Sequence, residues 1–379
     1  MKMMHLSDLH VGKKLGNYLL EKDQEHILRE ILQIAEEQKP DCILIAVDVF
    51  DKSVPAASAV TMFDRFLGRL AALKIPTLID SGNHDSNERL AYCGWALRYS
   101  NIFVSPVYDG KVEPVTLQDE YGEVRFWMMP YIRPMRAREV FDDSGIETYD
   151  EAFGAAIKAM QIDPSERNVL LAHQFVTGAT VSDSENHIIG TLECVGTEHF
   201  KDFDYTALGH LHTRQDVTSE RIHYCGTPLK YSFSEWKSKK SVTMIELGEK
   251  GTALKKNYIQ LHPLRDLYEL RGSFAELIAM EPTDDFVYIK LTDPKPIPNA
   301  KEDLETRFEH LMQVSYAERE KKEDIDIGVA DVTEQRSPYE IIAEFYKRNV
   351  GKDMDKDQSD YLTALIHEIW EAEHETTEA

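Results

Sequence analysis

The first eighty residues alternate between short apolar runs and amphipathic helical patterns. Residues 1–6, 41–49 and 77–80 are predicted to be strands, because each run is short, apolar and bounded by charged or turn residues. Between them, residues 22–38 and 58–73 repeat apolar side chains at the spacing of one helix face. This β-α-β-α-β order predicts a sheet of parallel strands covered by helices.

Strand patterns dominate the segment that follows, from about residue 123 to residue 247. One clear helical pattern interrupts them at residues 151–160. We therefore predict an α/β fold in which this segment forms the other half of a two-sheet sandwich flanked by helices. The predicted strands are 124–129, 169–173, 205–210, 222–225 and 241–247.

The chain has 379 residues, which is too many for one ordinary core, so two or three domains are expected. Residues 266–316 mix strand and helix patterns and predict a small α+β unit, followed by a charged linker at 318–323. Residues 337–340 have the form of a capping box with proline at the first helical position, and they open a predicted pair of C-terminal helices. The aromatic-rich faces of these helices either dock on the body or bind another protein. The predicted domains are 1–265, 266–335 and 336–379.

The net charge of −24, from 43 basic and 67 acidic residues, constrains how this chain could act on DNA. A protein that holds DNA by itself normally carries a basic surface, because phosphate neutralisation supplies most of the non-specific affinity. If this chain acts on DNA, metal ions, a local basic patch or a partner must supply the positive charge. Alternatively, the acidity outside the active site only keeps the protein soluble.

The cysteine spacing and the hydropathy pattern predict a protein of a reducing compartment that has no membrane-spanning segment. The apolar runs are far shorter than the ~20 residues that span a bilayer, and the N-terminal sequence lacks the pattern of a signal peptide. We therefore expect a soluble cytoplasmic protein. Cys42, Cys93, Cys194 and Cys225 show no paired spacing, which argues against disulfides or a structural zinc site. Cys42 and Cys225 lie in apolar segments and are expected to be buried thiols.

Five short polar motifs lie mostly at the carboxyl ends of predicted strands, where the active sites of α/β sheets collect. Taken singly, each has an ordinary interpretation as a cap, a turn or a satisfied core histidine. Taken together they indicate one site, and the spacing of two within the first and last motifs would place both side chains on one face of extended backbone. The motifs are Asp8-Leu9-His10, Asp48, Asn83-His84-Asp85, His173 and His210-Leu211-His212.

The residue types in these motifs indicate metal-assisted phosphoester cleavage. Mixed nitrogen and oxygen donors suit divalent Mn, Fe or Zn, and the donors are too many for one tetrahedral ion, which predicts two ions that share a carboxylate. Two ions ~3.5–4 Å apart neutralise a phosphate, lower the pKa of a bound water, and stabilise the attacking and leaving oxygens. His84, beside Asn83, is the candidate non-ligand that stabilises or protonates the leaving oxygen.

The combined order of these motifs resembles the calcineurin-like metallophosphoesterase superfamily over roughly the first 240 residues. Further segments resemble the SbcD nuclease subunit family more specifically. In that family's layout, the α+β unit is similar to a capping domain, and the terminal helices are similar to the segment that binds the coiled coil of an SbcC-type ATPase. The segments that carry the resemblance are Leu6–Gly12, Gly82–Ser86 with Arg89 and Leu90, Pro130–Pro134 and Gly226–Glu235.

The resemblance implies a role for each matching residue. Two metal ions, which are manganese by the family's preference, would share the bridging carboxylate of Asp48. His84 would be the catalytic non-ligand, and Asp85 and Arg89 would support the ligands. One ion would be held by Asp8, His10, Asp48 and His212. The other would be held by Asp48, Asn83, His173 and His210.

The function implied is that of a DNA nuclease subunit: an exonuclease on double-stranded DNA and an endonuclease on hairpin or single-stranded DNA. It would act with an SbcC-type ATPase in DNA repair, replication and recombination, as a homodimer within a heterotetramer. One alternative is another phosphoesterase of the superfamily that acts on a small phosphoester, for which the α+β unit and the helix pair have no obvious use.

The other alternative is a catalytically impaired scaffold. Where the family has glycine before the bridging aspartate, this chain has Val47. A valine would be strained at positive φ but harmless in an ordinary strand. The presence of every inferred ligand and of His84 argues against this alternative.

Overall fold

The computed structural model describes residues 1–181 and 194–317, together with isolated positions between 343 and 363. It divides the chain into two compact units, Met1–Ala317 and Glu318–Ala379. The predicted linker and most of the predicted C-terminal helix pair lie outside the described residues. Within the second unit, the Ser359 N–H donates to the Asp355 carbonyl (2.9 Å), which is the spacing of one α-helical turn.

Strands and helices alternate through the first unit. The strands are β1 (Lys2–Ser7), β2 (Lys14–Leu15), β3 (Tyr18–Leu19), β4 (Cys42–Ala46), β5 (Thr77–Ile79), β6 (Ile102–Val104), β7 (Val115–Asp119), β8 (Gly122–Met129), β9 (Arg167–His173), β10 (Phe175–Val176), β11 (Cys194–Val195), β12 (Tyr205–Gly209), β13 (Gln215–Val217), β14 (Ser219–Tyr224), β15 (Ser241–Glu246), β16 (Lys255–Gln260), β17 (Leu267–Gly272), β18 (Phe286–Leu291) and β19 (Leu311–Tyr316). The helices are α1 (Glu21–Gln38), α2 (Ala57–Leu73), α3 (Asn87–Leu90), α4 (Gly94–Leu97), α5 (Pro134–Phe141), α6 (Tyr149–Ala159), α7 (Phe274–Ile278) and α8 (Ala300–Glu305).

The first sheet has the strand order β16-β15-β1-β4-β5-β6. Strands β1, β4, β5 and β6 are parallel, as the β-α-β-α-β pattern predicts. The apolar faces of α1 and α2 cover this sheet, and α1 is capped at its C-terminus by Lys39, which adopts a left-handed conformation before Pro40. Strand β15 pairs antiparallel with the other edge of β1. The assignment of residues 241–247 to the other half of the sandwich is therefore wrong.

The second sheet has the order β13-β14-β12-β9-β8-β7, with β8, β9, β12 and β14 parallel. Buried side chains from both sheets, including Met3, Leu44, Phe126 and Leu171, fill the layer between them. This arrangement confirms the predicted α/β two-sheet fold. At the carboxyl ends of β4 and β12 the sheets approach so closely that a Cβ on Gly209 would lie 1.9 Å from the Ala46 carbonyl oxygen.

The segment after residue 266 forms the α+β unit: parallel strands β17, β18 and β19 with helices α7 and α8. Its own core contains Val287, Leu304 and Phe308. Helix α8 ends at Glu305, where the backbone N–H groups of Thr306 and Arg307 donate to the carbonyls of Asp303 and Leu304 and tighten the last turn before β19 begins.

All four cysteines are free, and Cys42 and Cys225 are buried as predicted. Burial raises the pKa of the Cys225 thiol to about 11, so this sulfur is a poor nucleophile at neutral pH. Within the described ranges, we find no helix long and apolar enough to cross a bilayer.

Candidate metal centre

Seven side chains converge where β1, β4, β5, β9 and β12 end. We call them the donor cluster: Asp8, His10, Asp48, Asn83, His173, His210 and His212. Strands β1, β4 and β5 belong to one sheet, and β9 and β12 belong to the other, so the cluster bridges the carboxyl edges of both sheets. All the ligand residues predicted from the sequence are therefore brought to one place.

His10 and His212 form one side of the donor cluster. Their Nε2 atoms lie 3.2 Å apart, and both side chains are buried. The His10 Nε2 is also 3.9 Å from Oδ2 of Asp48. Two nitrogen ligands of one ion, each about 2.1 Å from it, would have a comparable separation. This pair therefore has a spacing at which a single cation could contact both rings.

Asn83, His173 and His210 form the other side. The Asn83 Oδ1 lies 3.0 Å from His173 Nε2 and 3.3 Å from His210 Nδ1. His173 Nε2 is also 3.3 Å from Oδ2 of Asp48. The Asp48 carboxylate thus reaches both sides of the donor cluster, which is the position that a shared ligand requires.

Asp8 lies between the two sides and is fully buried. Its Oδ1 accepts from the His210 backbone N–H (2.9 Å) and is 3.8 Å from His173 Nδ1. Its Oδ2 has no hydrogen-bond partner in the described part of the chain. A buried carboxylate oxygen without a partner is costly, so this atom fits a site that a cation completes.

The backbone at three of these residues is in the left-handed region: φ is 49° at Asp8, 43° at His10 and 101° at His210. Asp8, His10 and His210 therefore do not lie on extended backbone, and the argument that a spacing of two places both side chains on one face is wrong for the first and the last motif. The side chains of Asp8 and His10 reach the site because the chain turns sharply after Ser7. Non-glycine residues at positive φ cost of order 1–3 kcal/mol each, and such costs cluster at functional sites.

Mutual electrostatics control the charge state of the donor cluster. Burial alone raises the pKa of Asp48, but the adjacent His173 outweighs burial and holds the pKa of Asp48 well below its usual range. Burial likewise lowers the pKa of His173, yet the carboxylate of Asp48 offsets this and raises the pKa to about 9. Burial lowers the pKa of His10 and that of His210, the latter to about 3, so both rings are neutral and can act as ligands.

His84 lies at the mouth of the donor cluster with its side chain 41% exposed. Its backbone N–H donates to Asp48 Oδ1 (2.8 Å), and its Nδ1 lies 2.9 Å from the Asp51 carbonyl oxygen. The Nε2 is 4.0 Å from Asp48 Oδ2. The ring also lies close enough to His10 and Asp48 that these three side chains could hold an ion together.

Asp85 and Arg89 support the neighbouring loops without entering the donor cluster. The Asp85 carboxylate accepts from the backbone N–H groups of Val49 (2.9 Å) and Phe50 (3.0 Å), and so ties the loop after β5 to the loop after β4. Arg89 donates to the Ser53 carbonyl (2.5 Å). Burial and the charge of Asp48 raise the pKa of Asp85 to about 7.

Val47, the departure from the family pattern, does not have positive φ and is fully buried in the core beside α1 and α2. A valine is strained at positive φ, which Val47 does not adopt, so the strain considered from the sequence is absent. Glycine is needed elsewhere: a Cβ on Gly82 would lie 2.1 Å from Asp48 Oδ1 and 2.8 Å from the Val47 carbonyl oxygen.

Glu235 and Lys240 are buried beside His212, and sequence reasoning gave them no role. Glu235 is the last residue of Gly226–Glu235, one of the segments that carry the family resemblance, and this was the signal that could have identified it. Glu235 is the only acidic residue in this segment, and a carboxylate that is buried there indicates a specific partner.

Two family models match the chain: "Calcineurin-like phosphoesterase" over residues 1–214, and "Type 5 capsule protein repressor C-terminal domain" over residues 263–350. The chain is 30% identical over 382 residues to the D subunit of the nuclease SbcCD from Staphylococcus epidermidis, and the match covers 98% of this chain and 100% of that protein. Among solved structures, it is similar to TT1561 of Thermus thermophilus at 11% identity and a TM-score of 0.37, covering 68% of this chain and 98% of that one. The chain belongs to the calcineurin-like phosphoesterase family, within its SbcD nuclease-subunit branch, and is a hydrolase of phosphodiester bonds.

Proposed function

We propose that this chain is the nuclease subunit of an SbcC–SbcD-type complex and that it hydrolyses DNA phosphodiester bonds at the donor cluster. The substrates would be double-stranded DNA for exonuclease cleavage and hairpin or single-stranded DNA for endonuclease cleavage. The observation that carries the proposal is the Asp48 carboxylate, which is buried and within 4 Å of donor groups on both sides of the cluster. Such an arrangement suits two cations that share one ligand.

The residues present fit two divalent ions, and manganese suits their mixed nitrogen and oxygen donors. Asp8, His10, Asp48 and His212 would hold one ion, and Asp48, Asn83, His173 and His210 would hold the other. When bound, the ions would supply charge neutralisation at the phosphate and a water of lowered pKa. The protein's own contribution is to hold the donors at fixed separations before substrate arrives, through the constrained backbone at Asp8, His10 and His210.

His84 would act on the leaving oxygen. Its Nδ1–H can donate to the Asp51 carbonyl, which fixes the ring, and Nε2 lies 4.0 Å from Asp48 Oδ2. In the protonated ring, Nε2–H would donate to the leaving oxygen. Because its side chain is partly exposed, His84 can contact a large substrate, whereas a fully buried side chain could not.

A cavity of about 390 Å³ adjoins Asn83 and gives DNA a place to enter. Tyr131, Arg133 and Arg136 line it. Arg136 already donates to the Tyr108 carbonyl and pairs with Glu139. Arg133, in contrast, is exposed and forms no ion pair within the described residues. Arg133 could therefore contact a DNA phosphate, as the local positive charge that the strongly acidic chain requires.

The Staphylococcus epidermidis relative is, by its name, the D subunit of SbcCD. We extend this to the chain here, with an SbcC-type ATPase as the partner, its coiled coil bound by the C-terminal segment 336–379, and residues 266–335 as the capping domain. A homodimer within this assembly is supported by an exposed aromatic surface around α3 and α4. There Trp95 is 81% exposed and Tyr99 is 95% exposed, which favours burial against a second copy.

The test uses the purified chain with hairpin-ended duplex DNA and with a small phosphodiester, in manganese or in EDTA. We expect manganese-dependent DNA cleavage that is abolished in His84→Ala, while the bound manganese measured by elemental analysis is unchanged. Loss of manganese in His84→Ala would make His84 a ligand. Cleavage of the small ester with no cleavage of DNA would favour a small-substrate phosphoesterase. The absence of both activities, with no manganese bound, would favour the impaired scaffold.

A further inference from the structure

Glu235 is a buried carboxylate, 1% exposed, that touches the donor cluster from behind. Its Oε1 lies 3.2 Å from Nδ1 of His212, whose Nε2 faces His10. Its Oε2 pairs with the buried ammonium of Lys240 (2.5 Å), which also donates to the Thr227 hydroxyl and to the His212 carbonyl. The carboxylate is thus fixed on one side and directed at one ring nitrogen on the other.

The segment Thr227–Lys240, which we call the Glu235 loop, also holds the turn that carries Asp8 and His10. The Tyr231 hydroxyl donates to the Leu9 carbonyl (2.6 Å). The Tyr231 backbone N–H points at Oε1 of Glu235 (3.3 Å), and the Ser232 hydroxyl donates to the same oxygen (3.1 Å). One loop therefore contacts the backbone between two candidate ligands and the side chain of a third.

The same loop is attached to the α+β unit. The ring of Phe233 stacks on the ring of Tyr288 in β18, with centroids 3.8 Å apart and planes 22° from parallel. Lys230 donates to the Leu267 carbonyl (3.2 Å) and pairs with Asp266 (2.8 Å) at the start of β17. Phe233 is two residues from Glu235, so a displacement of the α+β unit would move the carboxylate behind His212.

A histidine that binds a metal through one ring nitrogen usually donates its other N–H to a carboxylate, which fixes the tautomer and the ring orientation. Glu235 is placed to accept from Nδ1–H of His212 and so to leave the Nε2 lone pair directed into the donor cluster. The other rings contrast with His212: Nδ1 of His10 and Nδ1 of His173 have no hydrogen-bond partner within the described ranges.

We propose that Glu235 is a positioning residue for His212, and that the stack of Phe233 on Tyr288 makes this positioning depend on the α+β unit. The inference rests on the proposed metal centre. The metal affinity of the site would therefore depend on the position of the α+β unit. Tyr288 would act through Phe233 and Glu235 and not through a ligand.

The test measures manganese affinity of the full chain by titration calorimetry and by the electron paramagnetic resonance signal of free manganese, with DNA cleavage as a separate readout. We expect Glu235→Gln to weaken manganese binding by about 10- to 100-fold, the usual effect of losing such a partner. The Glu235→Gln variant leaves the charge of Lys240 buried without its partner. The double variant Glu235→Gln/Lys240→Met removes that charge as well. Its manganese affinity should fall by a similar factor.

The matched control is Asp119→Asn, which breaks a buried pair with Arg167 remote from the donor cluster and should leave manganese affinity unchanged. Unchanged affinity in both Glu235 variants, beside a wild type that binds manganese, would overturn this inference and leave the proposed function standing. A wild type that binds no manganese would instead overturn the proposed metal centre itself.

Tyr288→Leu tests the connection to the α+β unit. We expect weaker manganese binding than in the wild type, by a smaller factor than in Glu235→Gln. If Tyr288 acts through Glu235, adding Tyr288→Leu to Glu235→Gln should weaken binding no further. Fully additive losses, or an affinity in Tyr288→Leu equal to that of the wild type, would overturn the connection.

Discussion

Gly82→Ala is predicted to disable the site by displacing the carboxylate that both sides of the donor cluster share. The added Cβ would lie 2.1 Å from Asp48 Oδ1, whereas real Cβ contacts are essentially never shorter than 3.0 Å, so the atoms must separate by at least 0.9 Å (3.0 − 2.1). The Val47 carbonyl oxygen, at 2.8 Å, also restricts a purely side-chain adjustment. Misplacement by about 1 Å costs on the order of 100-fold in rate, and overpacking of this kind costs about 1–3 kcal/mol of the free energy of unfolding.

The assay compares manganese-dependent DNA cleavage, bound manganese and thermal unfolding in Gly82→Ala and in a control, Gly68→Ala. Gly68 lies inside α2, and a Cβ there would meet nothing within 4 Å. The control should therefore keep full activity and gain about 0.5–1 kcal/mol in the free energy of unfolding. Wild-type activity and manganese content in Gly82→Ala would refute the reasoning, because Asp48 could then move without consequence.

Further predictions concern charge, substrate binding and the partner. Asp119 pairs with Arg167 at 2.6 Å, and this hydrogen bond holds the pKa of Asp119 far below its unfolded value of about 3.9. The stabilisation is therefore present above about pH 4 and is lost as pH falls through the folded pKa. Asp119→Asn should lower the free energy of unfolding by about 3 kcal/mol at pH 7, and urea titrations should show this difference shrinking below about pH 4; an equal difference at pH 7 and pH 3 would contradict it. Arg133→Ala should weaken DNA binding and reduce the salt slope of log K by about 0.9, with manganese content unchanged; an unaltered slope in fluorescence anisotropy would exclude a phosphate contact. Deletion of residues 337–379 should leave cleavage by the isolated chain intact but weaken capture of the ATPase partner, and undiminished capture would exclude a docking role for that segment.

The spacing of apolar residues along the sequence predicted the helices that bury one face against a sheet. Helix α1 begins one residue from its predicted start, because its apolar side chains repeat at helical spacing and Pro40 bounds its end. The donor cluster was predictable because parallel strands deliver their following residues to one edge. Strand β15 was misplaced because a run of buried residues specifies a strand but not its neighbour.

Two features of the site lay beyond sequence reasoning. Asp and His are enriched at positive φ, but residue type alone does not specify it at Asp8 and His10, where contacts with the loops after β4 and β12 hold the backbone. Glu235 lies 23 residues beyond His212 in the chain, and only the packing of its loop brings the two side chains together. Such contacts arise from tertiary structure, which periodicity does not encode.

The pairing of β1 with β15 has a consequence for how this protein is made. Strand β1, which leads directly into Asp8 and His10, has its second neighbour at Ser241–Glu246. At ribosomal rates of about 5–20 residues per second, roughly 10–50 s pass between the synthesis of the two strands. During that interval one edge of β1 has no partner and the donor cluster cannot close. Non-local pairing of this kind slows folding, and an open strand edge invites association with other chains. We therefore expect newly made chains to need protection until residue 246 has left the ribosome.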